Sequence, residues 1–128
     1  MYIPAPYRAS SPRALVAEHP FATVISECDG ELYATQTPLY FRSDRDDETV
    51  LIGHFARANP HSQILAEGQN VLAVFPGPHA YISSSWYADY PTVPTWNYVS
   101  AQAKGALSPV DDTEKQFYYH HFHLDLIE

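Results

Sequence analysis

The sequence is poor in cysteine and has no long apolar runs. Cys28 is the only cysteine among 128 residues, so no internal disulfide can form, and we expect a reducing compartment. No apolar run approaches the roughly 20 residues that a membrane-spanning helix needs. The first eight residues also lack the basic-then-apolar order of a secretory signal. These features predict a cytoplasmic domain without membrane association.

Positive charge is scarce as well. Seven Lys and Arg residues oppose fifteen Asp and Glu residues, which gives a formal net charge of −8. Lys104 and Lys115 are the only lysines, and the arginines are scattered without forming a basic helix or stripe. Proteins that bind duplex DNA neutralise its phosphates with clustered Lys and Arg. Direct DNA binding by this chain is therefore disfavoured, whereas one anionic ligand held by one or two cations remains compatible.

The chain has the length of one domain, and its first local signal is a helix. Apolar residues make up 45% of the sequence, which suits a globular domain with one core. Ser10 and Ser11 precede Pro12, as in a helix whose cap is followed by proline in the first turn. The pair His19-Pro20 then ends that helix. We therefore predict a short N-terminal helix.

Most of the remaining sequence has the period and composition of β-strands. Asp29-Gly30 is a strong hairpin signal, and Pro38 indicates an edge position or a bulge. The predicted strands cover residues 21–26, 31–42, 49–55, 71–75, 79–83 and 95–107, with a loop at 84–92. A second short helix is predicted over 59–67, capped by Asn59 and ended by Gly68. Many strands and two short helices predict a mainly β antiparallel barrel or sandwich.

The last part of the chain differs from the rest. We assign residues 1–110 to the β domain and 111–128 to a short, atypical C-terminal tail in which Asp111 or Asp112 could cap a helix. His120, His121 and His123 invite a metal hypothesis, since imidazole binds zinc, copper and nickel. No cysteine lies nearby, and a terminal cluster is not a shaped site. We therefore favour a solvated tail and predict no metal site.

The segment 51–60 is a candidate anion site. A strand ends there and a helix begins within a few residues, so backbone N–H groups of the helix start, the Arg57 guanidinium and the side chains of His54 and Asn59 could surround an anion. In the alternative interpretation, Asn59 only caps the helix and Arg57 only points to water. The pattern of residues leaves both interpretations open.

Aromatic and polar residues alternate in two further segments, 77–87 and 93–98. Such side chains can flank a planar ring, although for any one of them we favour ordinary packing in a core or an interface. The serines at 83–85 lack the glycine-flanked turn of a hydrolase nucleophile, and no base accompanies Cys28. No catalytic residue is predicted.

Three motifs resemble one known family. GHFARANP (53–60), GPHAYISSSWY (77–87) and VPTWNY (93–98) are similar to motifs of the PaiB-type FMN-binding negative transcriptional regulators. MYIPAPY, HPFATVIS and LYATQTPL resemble that family in order and spacing. The resemblance extends from Met1 to about Val110.

The resemblance implies a split β-barrel of the pyridoxamine-phosphate-oxidase-like superfamily, a homodimer, and FMN in two equivalent clefts at the dimer interface. It places the flavin phosphate near His54, Arg57 and Asn59, with Ala58 between them. It also implies that Thr35, Gln36 and Thr37 lie beside the flavin ring, and that Trp96 and Asn97 close the cleft, from the partner subunit in one arrangement.

The sequence departs from the family in three places. Gln36 stands where the family commonly has histidine, Ser84 stands where it has proline, and the region after Val110 is short. Two functions remain open. One is a flavin-binding regulator whose acidic charge implies indirect action through a partner protein or a small effector. The other is an FMN-dependent oxidoreductase that takes electrons from NAD(P)H and acts on a small molecule.

Overall fold

The described part of the chain folds into one antiparallel sheet with two short α-helices. The computed structural model describes residues 5, 8, 11–42, 50–89, 91–110 and 117–127. The helices are α1 (Pro12–Glu18) and α2 (Pro60–Ile64); the strands are β1 (Phe21–Cys28), β2 (Glu31–Pro38), β3 (Tyr40–Phe41), β4 (Val50–Ala56), β5 (Asn70–Ile82), β6 (Thr95–Val110) and β7 (Phe117–Ile127). They pair in the order β2-β1-β5-β6-β7-β4-β3. The mainly β fold class is confirmed. No helix in the described part of the chain is long and apolar enough to cross a membrane.

The elements at the start of the chain follow their local signals. The Ser11 hydroxyl accepts a hydrogen bond from the Ala14 N–H at 3.2 Å, which caps α1 as predicted. Asp29 and Gly30 have φ angles of 52° and 82°, and they connect β1 to β2 in a tight hairpin. Both positive angles suit a turn whose twist matches that of the flanking strands.

The second predicted strand, 31–42, is divided in two. β2 ends at Pro38, which has no N–H to donate, and the next residue, Leu39, is fully buried and donates its N–H to the Pro20 carbonyl at 2.8 Å. β3 then pairs with β4 at the other edge of the sheet. The chain thus passes from one edge to the other at Leu39, and β2 contacts β4. The sheet curls on itself as a split barrel.

One apolar core fills the interior of this curled sheet. Its largest fully buried apolar side chains are Phe55, Phe75, Leu39, Leu51, Leu107, Val16, Val24 and Val50. Val16 comes from α1, so this helix closes one side of the core. Residues alternate between buried and partly exposed along β1 and β5, as in strands with one face toward a core.

Two predicted boundaries in the middle of the chain are wrong. α2 ends at Ile64 and does not extend to residue 67, so Gly68 lies in a later turn. The Pro76-Gly77-Pro78 segment does not end a strand, because β5 continues through it with a shift of register between Pro76 and His79. A bulge absorbs the missing proline N–H groups without breaking the strand. The predicted loop at 84–92 contains a 3₁₀ turn, Ser84–Trp86.

The largest difference from the sequence prediction is at the C-terminus. The proposed capping residues at 111–114 lie outside the described residues, but the chain after them forms β7 rather than a helix or a solvated tail. β7 lies between β6 and β4 and pairs with both, so β6 is not the last strand. Its pairing with β4 joins segments about seventy residues apart, so no local pattern indicated it. A division at residue 110 does not coincide with an end of the sheet.

Candidate functional site

The predicted anion-binding residues lie at one corner of the barrel, where β4 ends. Phe55 is buried, whereas its neighbour His54 is exposed, as the alternation of a strand requires. A turn follows in which the Asn59 N–H donates to the Ala56 carbonyl at 2.9 Å. Arg57 lies in this turn with its side chain exposed. We call residues 54–59 the corner; it carries two basic side chains on an acidic protein.

The start of α2 contributes less to this corner than the sequence predicted. Pro60 has no N–H, the His61 N–H donates to Asn59 Oδ1 at 3.0 Å, and the Ser62 N–H donates to the Asn59 carbonyl at 2.9 Å. Asn59 therefore uses the first helical amides itself, so the helix cap is confirmed for this residue. An anion at the corner would be held by the side chains of His54 and Arg57.

Two threonines of β2 join this strand to the corner. Asn59 Nδ2 donates to Thr35 Oγ1 at 3.0 Å, and Thr37 Oγ1 donates to the His54 carbonyl at 2.8 Å. The structure thus brings Thr35, Thr37, His54 and Asn59 together. Gln36 is exposed, and the alternation of β2 places it on the opposite face of the strand from the two threonines.

A buried histidine that sequence analysis did not identify lies behind these residues. His61 is only 2% exposed; its Nδ1 lies 2.8 Å from Thr35 Oγ1 and its Nε2 lies 2.8 Å from Ser26 Oγ. Its ring packs against Phe55 and Tyr33, with centroids 5.0 and 5.7 Å away. Burial lowers the pKa of His61. No local pattern could have indicated this role, because Ser26 and His61 are 35 residues apart.

Neither Cys28 nor Tyr33 is prepared to act as a nucleophile or base. Burial, and then the nearby carboxylate of Asp29, raise the pKa of the Cys28 thiol. Burial raises the pKa of the Tyr33 hydroxyl, which also donates to Glu31 Oε2 at 3.2 Å. Both groups are held in their neutral forms, opposite to what nucleophilic chemistry needs.

The predicted ring-covering residues lie on a projection of the sheet. The pairing of β5 with β1 covers Leu72 to Val74 and does not continue beyond Val74. The pairing of β6 with β7 begins at Gln102. Residues 76–82 and 95–100 therefore pair only with each other and form a two-stranded ribbon. Trp96 and Asn97 lie on this ribbon, and β7 separates β6 from β4 in the sheet. Within one chain, they are therefore on a different part of the sheet from His54 and Arg57.

The ribbon presents aromatic side chains to its surroundings. Tyr81, Trp96 and Tyr98 are 48%, 56% and 65% exposed. Trp96 Nε1 donates to His79 Nδ1 at 3.2 Å, and the two rings stack with centroids 5.7 Å apart. A shallow cavity of about 280 Å³ lies beside them and is lined by Pro78, His79, Ala80, Asn97, Tyr98 and Val99. Such a ribbon is suited to contact another surface.

Metal binding has no support in the part of the chain whose side chains are described. No group of three His, Cys, Asp or Glu residues there could hold an ion. The side chains of His120, His121 and His123 lie outside that part, although their backbone belongs to β7.

The chemistry of the corner fits a nucleotide-like flavin. FMN carries a phosphate and a planar ring whose polar edge both donates and accepts hydrogen bonds. Arg57 and His54 are suitable partners for the phosphate, and the half-buried Thr35 hydroxyl and Asn59 amide supply polar atoms at the same corner. The Thr37 hydroxyl is buried and donates to the His54 carbonyl. An exposed aromatic surface on the ribbon suits the faces of a planar ring.

Comparison with known proteins gives relatives in bacteria and fungi. The chain is 39% identical to the Protease synthase and sporulation protein PAI 2 of Bacillus subtilis over 117 residues, which are 89% of this chain and 56% of that protein. It is 32% identical over 81 residues to an uncharacterized protein of Saccharomyces cerevisiae, covering 60% of this chain and 48% of that protein. The chain spans about half the length of these relatives.

A solved structure shares the fold. The FAD and heme binding protein from Mycobacterium smegmatis superposes with a TM-score of 0.61 at 17% sequence identity, covering 87% of this chain and 63% of that one. At this identity the likeness concerns the arrangement of strands, and it agrees with a split barrel.

The family model described as "Putative FMN-binding domain" matches residues 1–121, which includes nearly the whole chain and part of β7. FMN is accordingly the cofactor of this domain. The motifs, the fold and the corner agree with that match, and the chain belongs to the PaiB-type family of FMN-binding proteins.

Proposed function

We propose that this protein is a cytoplasmic flavin-binding regulator that acts as a homodimer. The corner of one subunit holds the FMN phosphate, and the ribbon of the other subunit covers the flavin ring. The observation that carries the proposal is the corner itself. Two basic side chains and a hydrogen-bonded Thr35–Asn59 pair converge there on a protein of net charge −8.

Arg57 is the main phosphate ligand in this proposal. A guanidinium can donate two parallel hydrogen bonds to a phosphate, and such charge-assisted bonds are about twice as strong as neutral ones. His54, three residues earlier at the end of β4, adds a second donor. Ala58 has no functional group, so its contribution is limited to the backbone and to the small size of the turn.

The flavin ring lies along β2 in this proposal, beside Thr35, Thr37 and the exposed Gln36. The Gln36 side chain faces away from the two threonines. A flavin ring that contacts the Thr35 side chain would therefore contact Gln36 through its backbone or at the edge of β2. Bound FMN supplies one- and two-electron redox chemistry. The residues of this chain bind and orient it.

The ribbon supports the homodimer. An isolated two-stranded ribbon is marginally stable in water, and exposed aromatic patches generally mark interaction sites. Trp96 and Asn97 lie on the ribbon, away from the corner of their own subunit, so covering a flavin there requires a second subunit. Two copies related by a two-fold axis would exchange this contact and create two equivalent clefts.

A regulator without turnover agrees with the acidic charge only if it acts indirectly. Duplex DNA would be repelled by a surface with this excess of carboxylates. We therefore propose that a partner protein or a small effector transmits the regulation.

One observation favours an FMN-dependent oxidoreductase as the second candidate. The shallow cavity on the ribbon, lined in part by His79, Asn97 and Tyr98, would lie near the ring when the ribbon covers it, and it is large enough for a small molecule. Reduction of bound FMN by NADH or NADPH, followed by reoxidation that depends on an added substrate, would support this candidate. Retention of a partner protein without turnover would support the regulator.

A flavin titration tests the cofactor site. Wild-type protein should quench FMN fluorescence saturably, and Arg57→Ala should weaken binding about tenfold, equivalent to about 1.4 kcal/mol. Lys104→Ala is the matched control, because it removes the same charge from an exposed position on β6. Equal weakening in both variants would indicate general electrostatics and reject the phosphate site, and absence of binding by the wild type would reject FMN as the ligand of this chain.

The homodimer has its own test. Tyr98→Glu places a carboxylate on the exposed face of the ribbon, where folding of one subunit tolerates it. Light scattering should give a dimer for the wild type and a monomer for the variant, with FMN affinity lost in parallel. A dimer that survives Tyr98→Glu would place the interface elsewhere.

A further inference from the structure

We infer that His61 is a positioning residue of the proposed FMN site, held as a neutral imidazole protonated on Nδ1, which directs the Thr35 hydroxyl proton outward to a bound flavin. This inference rests on the proposed function. It follows from the possible proton positions in one hydrogen-bonded network of four side chains, which are Ser26, Thr35, Asn59 and His61.

The orientation of the Asn59 amide is the starting point. Asn59 Oδ1 accepts from the His61 N–H at 3.0 Å, so its Nδ2 is the atom that faces Thr35 Oγ1, also at 3.0 Å. An amide nitrogen can only donate. Thr35 Oγ1 is therefore an acceptor for Asn59, and one of its remaining positions faces His61 Nδ1 at 2.8 Å.

A neutral His61 can complete this network in two ways. With the proton on Nε2, His61 donates to Ser26 Oγ, and Thr35 donates its hydroxyl to Nδ1. With the proton on Nδ1, His61 donates to Thr35, and Ser26 donates its hydroxyl to Nε2. The two forms differ in which hydroxyl proton has no partner within the network: that of Ser26 in the first form and that of Thr35 in the second.

Burial decides between the two forms. Ser26 is 4% exposed, and among the described residues its hydroxyl has no hydrogen-bonding partner besides His61. An unpaired O–H at a buried position destabilises the folded protein, because no water molecule is there to accept its hydrogen bond. Thr35 is only half-buried, so its proton can reach solvent or a ligand. The Nδ1–H form leaves the free proton on the accessible side.

The charged form of the imidazole is disfavoured by its surroundings. Besides Thr35 and Ser26, the ring faces the aromatic rings of Phe55 and Tyr33. Among the described residues, no carboxylate bonds to it. An imidazolium would be buried without a counterion, and a cation in that position loses its hydration without compensation.

The consequence is a defined role for Thr35. Its oxygen accepts from both Asn59 and His61, which leaves its proton as a donor directed away from them. The polar edge of a flavin ring offers carbonyl oxygens and ring nitrogens as acceptors. Thr35 thus becomes a donor to the cofactor because His61 does not accept its proton.

Nitrogen NMR of the protein without flavin tests the tautomer directly. With ¹⁵N-labelled histidine, the His61 ring should show a protonated Nδ1 and an unprotonated Nε2 near neutral pH, and His61→Asn identifies the signal. This readout needs no cofactor. A protonated Nε2, or protonation of both nitrogens, would overturn the inference and leave the proposed function standing.

Flavin titration of matched variants tests the role of Thr35. Thr35→Val removes the hydroxyl at nearly constant volume and should weaken FMN binding about tenfold, whereas Thr35→Ser keeps the hydroxyl and should stay within about twofold of wild type. His61→Asn places an amide N–H near the former Nδ1 and should retain more affinity than His61→Gln. Unchanged affinity in Thr35→Val, with normal binding by the wild type, overturns the inference alone; no FMN binding by the wild type overturns the proposed function and this donor role together.

Discussion

Thr37 donates its hydroxyl to the carbonyl oxygen of His54, 2.8 Å away, and thereby joins two strands that do not pair in the sheet. Thr37 lies near the end of β2 and is 4% exposed, whereas His54 lies on β4 near the opposite edge. The contact closes the barrel at the same place where the corner begins. Together with the hydrogen bond from Asn59 to Thr35, this contact links the closure of the barrel to the position of the proposed cofactor site.

Removing that hydrogen bond should destabilise the protein. Thr37→Val keeps the shape of the side chain but removes the hydrogen bond that Thr37 donates to the His54 carbonyl, and the loss of one such bond typically costs about 1 kcal/mol. Urea denaturation measures the change. Thr23→Val is the control, because Thr23 is a half-buried strand threonine for which the described residues provide no side-chain hydrogen bond; it should change stability by less than about 0.5 kcal/mol. Similar losses in both variants would contradict the role given to Thr37.

His61 should make the folded state sensitive to mild acid. Burial lowers the pKa of His61 in the folded protein, while the unfolded chain keeps a value near about 6.5. As the pH falls below that value, the unfolded state binds the proton first, so the free energy of unfolding decreases until the folded pKa is reached. Urea denaturation at pH values of about 7.5 and 5.5 should show a smaller loss for His61→Asn than for the wild type. Equal losses would mean that other groups cause the acid sensitivity.

Gly77 should not tolerate a side chain. A Cβ at this position would lie 2.9 Å from the Val99 carbonyl oxygen and 3.1 Å from Leu15 Cδ1. The first contact is with backbone, so Gly77→Ala must displace the ribbon and should cost about 1–3 kcal/mol. Adding Leu15→Ala relieves only the second contact. In a double-mutant cycle measured by thermal unfolding, Gly77→Ala should therefore destabilise the Leu15→Ala background less than the wild type, but still measurably. No destabilisation in the Leu15→Ala background would show that the Val99 contact is harmless.

β7 should be indispensable for folding. It pairs with β6 along Gln102–Val110 and with β4 along Val50–Ala56, so a chain that stops at Val110 exposes the edges of two strands at once. We expect such a truncated protein to aggregate or to lack a cooperative thermal transition. Circular dichroism and calorimetry provide the measurement. A cooperative transition close to that of the full chain would indicate that residues 1–110 fold by themselves.

Local signals in the sequence predicted the elements that depend on neighbouring residues. Ser11 and Pro12 start α1, Asp29-Gly30 forms the hairpin, and Asn59 caps α2, as expected. Each of these signals works through backbone groups only a few residues away. For the same reason, sequence analysis located the corner correctly as a strand end followed by a helix start.

Features that depend on distant contacts were not predictable in this way. Pro38 indicated an irregular strand, but only the burial of Leu39 explains why the chain crosses to the other edge. The acidic residues before β7 resemble a helix cap, and no local signal shows that the segment after them also pairs with the distant strand β4. Sequence analysis did not identify His61, a residue of α2, because its partner Ser26 lies on β1, 35 residues earlier. In each case a long-range contact outweighs the local preference.

The central place of β7 also concerns the order in which the protein is made. During synthesis, β4 emerges from the ribosome about seventy residues before its neighbour in the sheet, since Leu51 pairs with Phe122. Until then the edge of β4 that pairs with β7 lacks its neighbouring strand, while the other edge can pair with β3. At synthesis rates of about 5–20 residues per second, that interval lasts several seconds. A nascent chain of this protein therefore carries an incomplete barrel until β7 has been made, and this interval is when chaperones would be needed most.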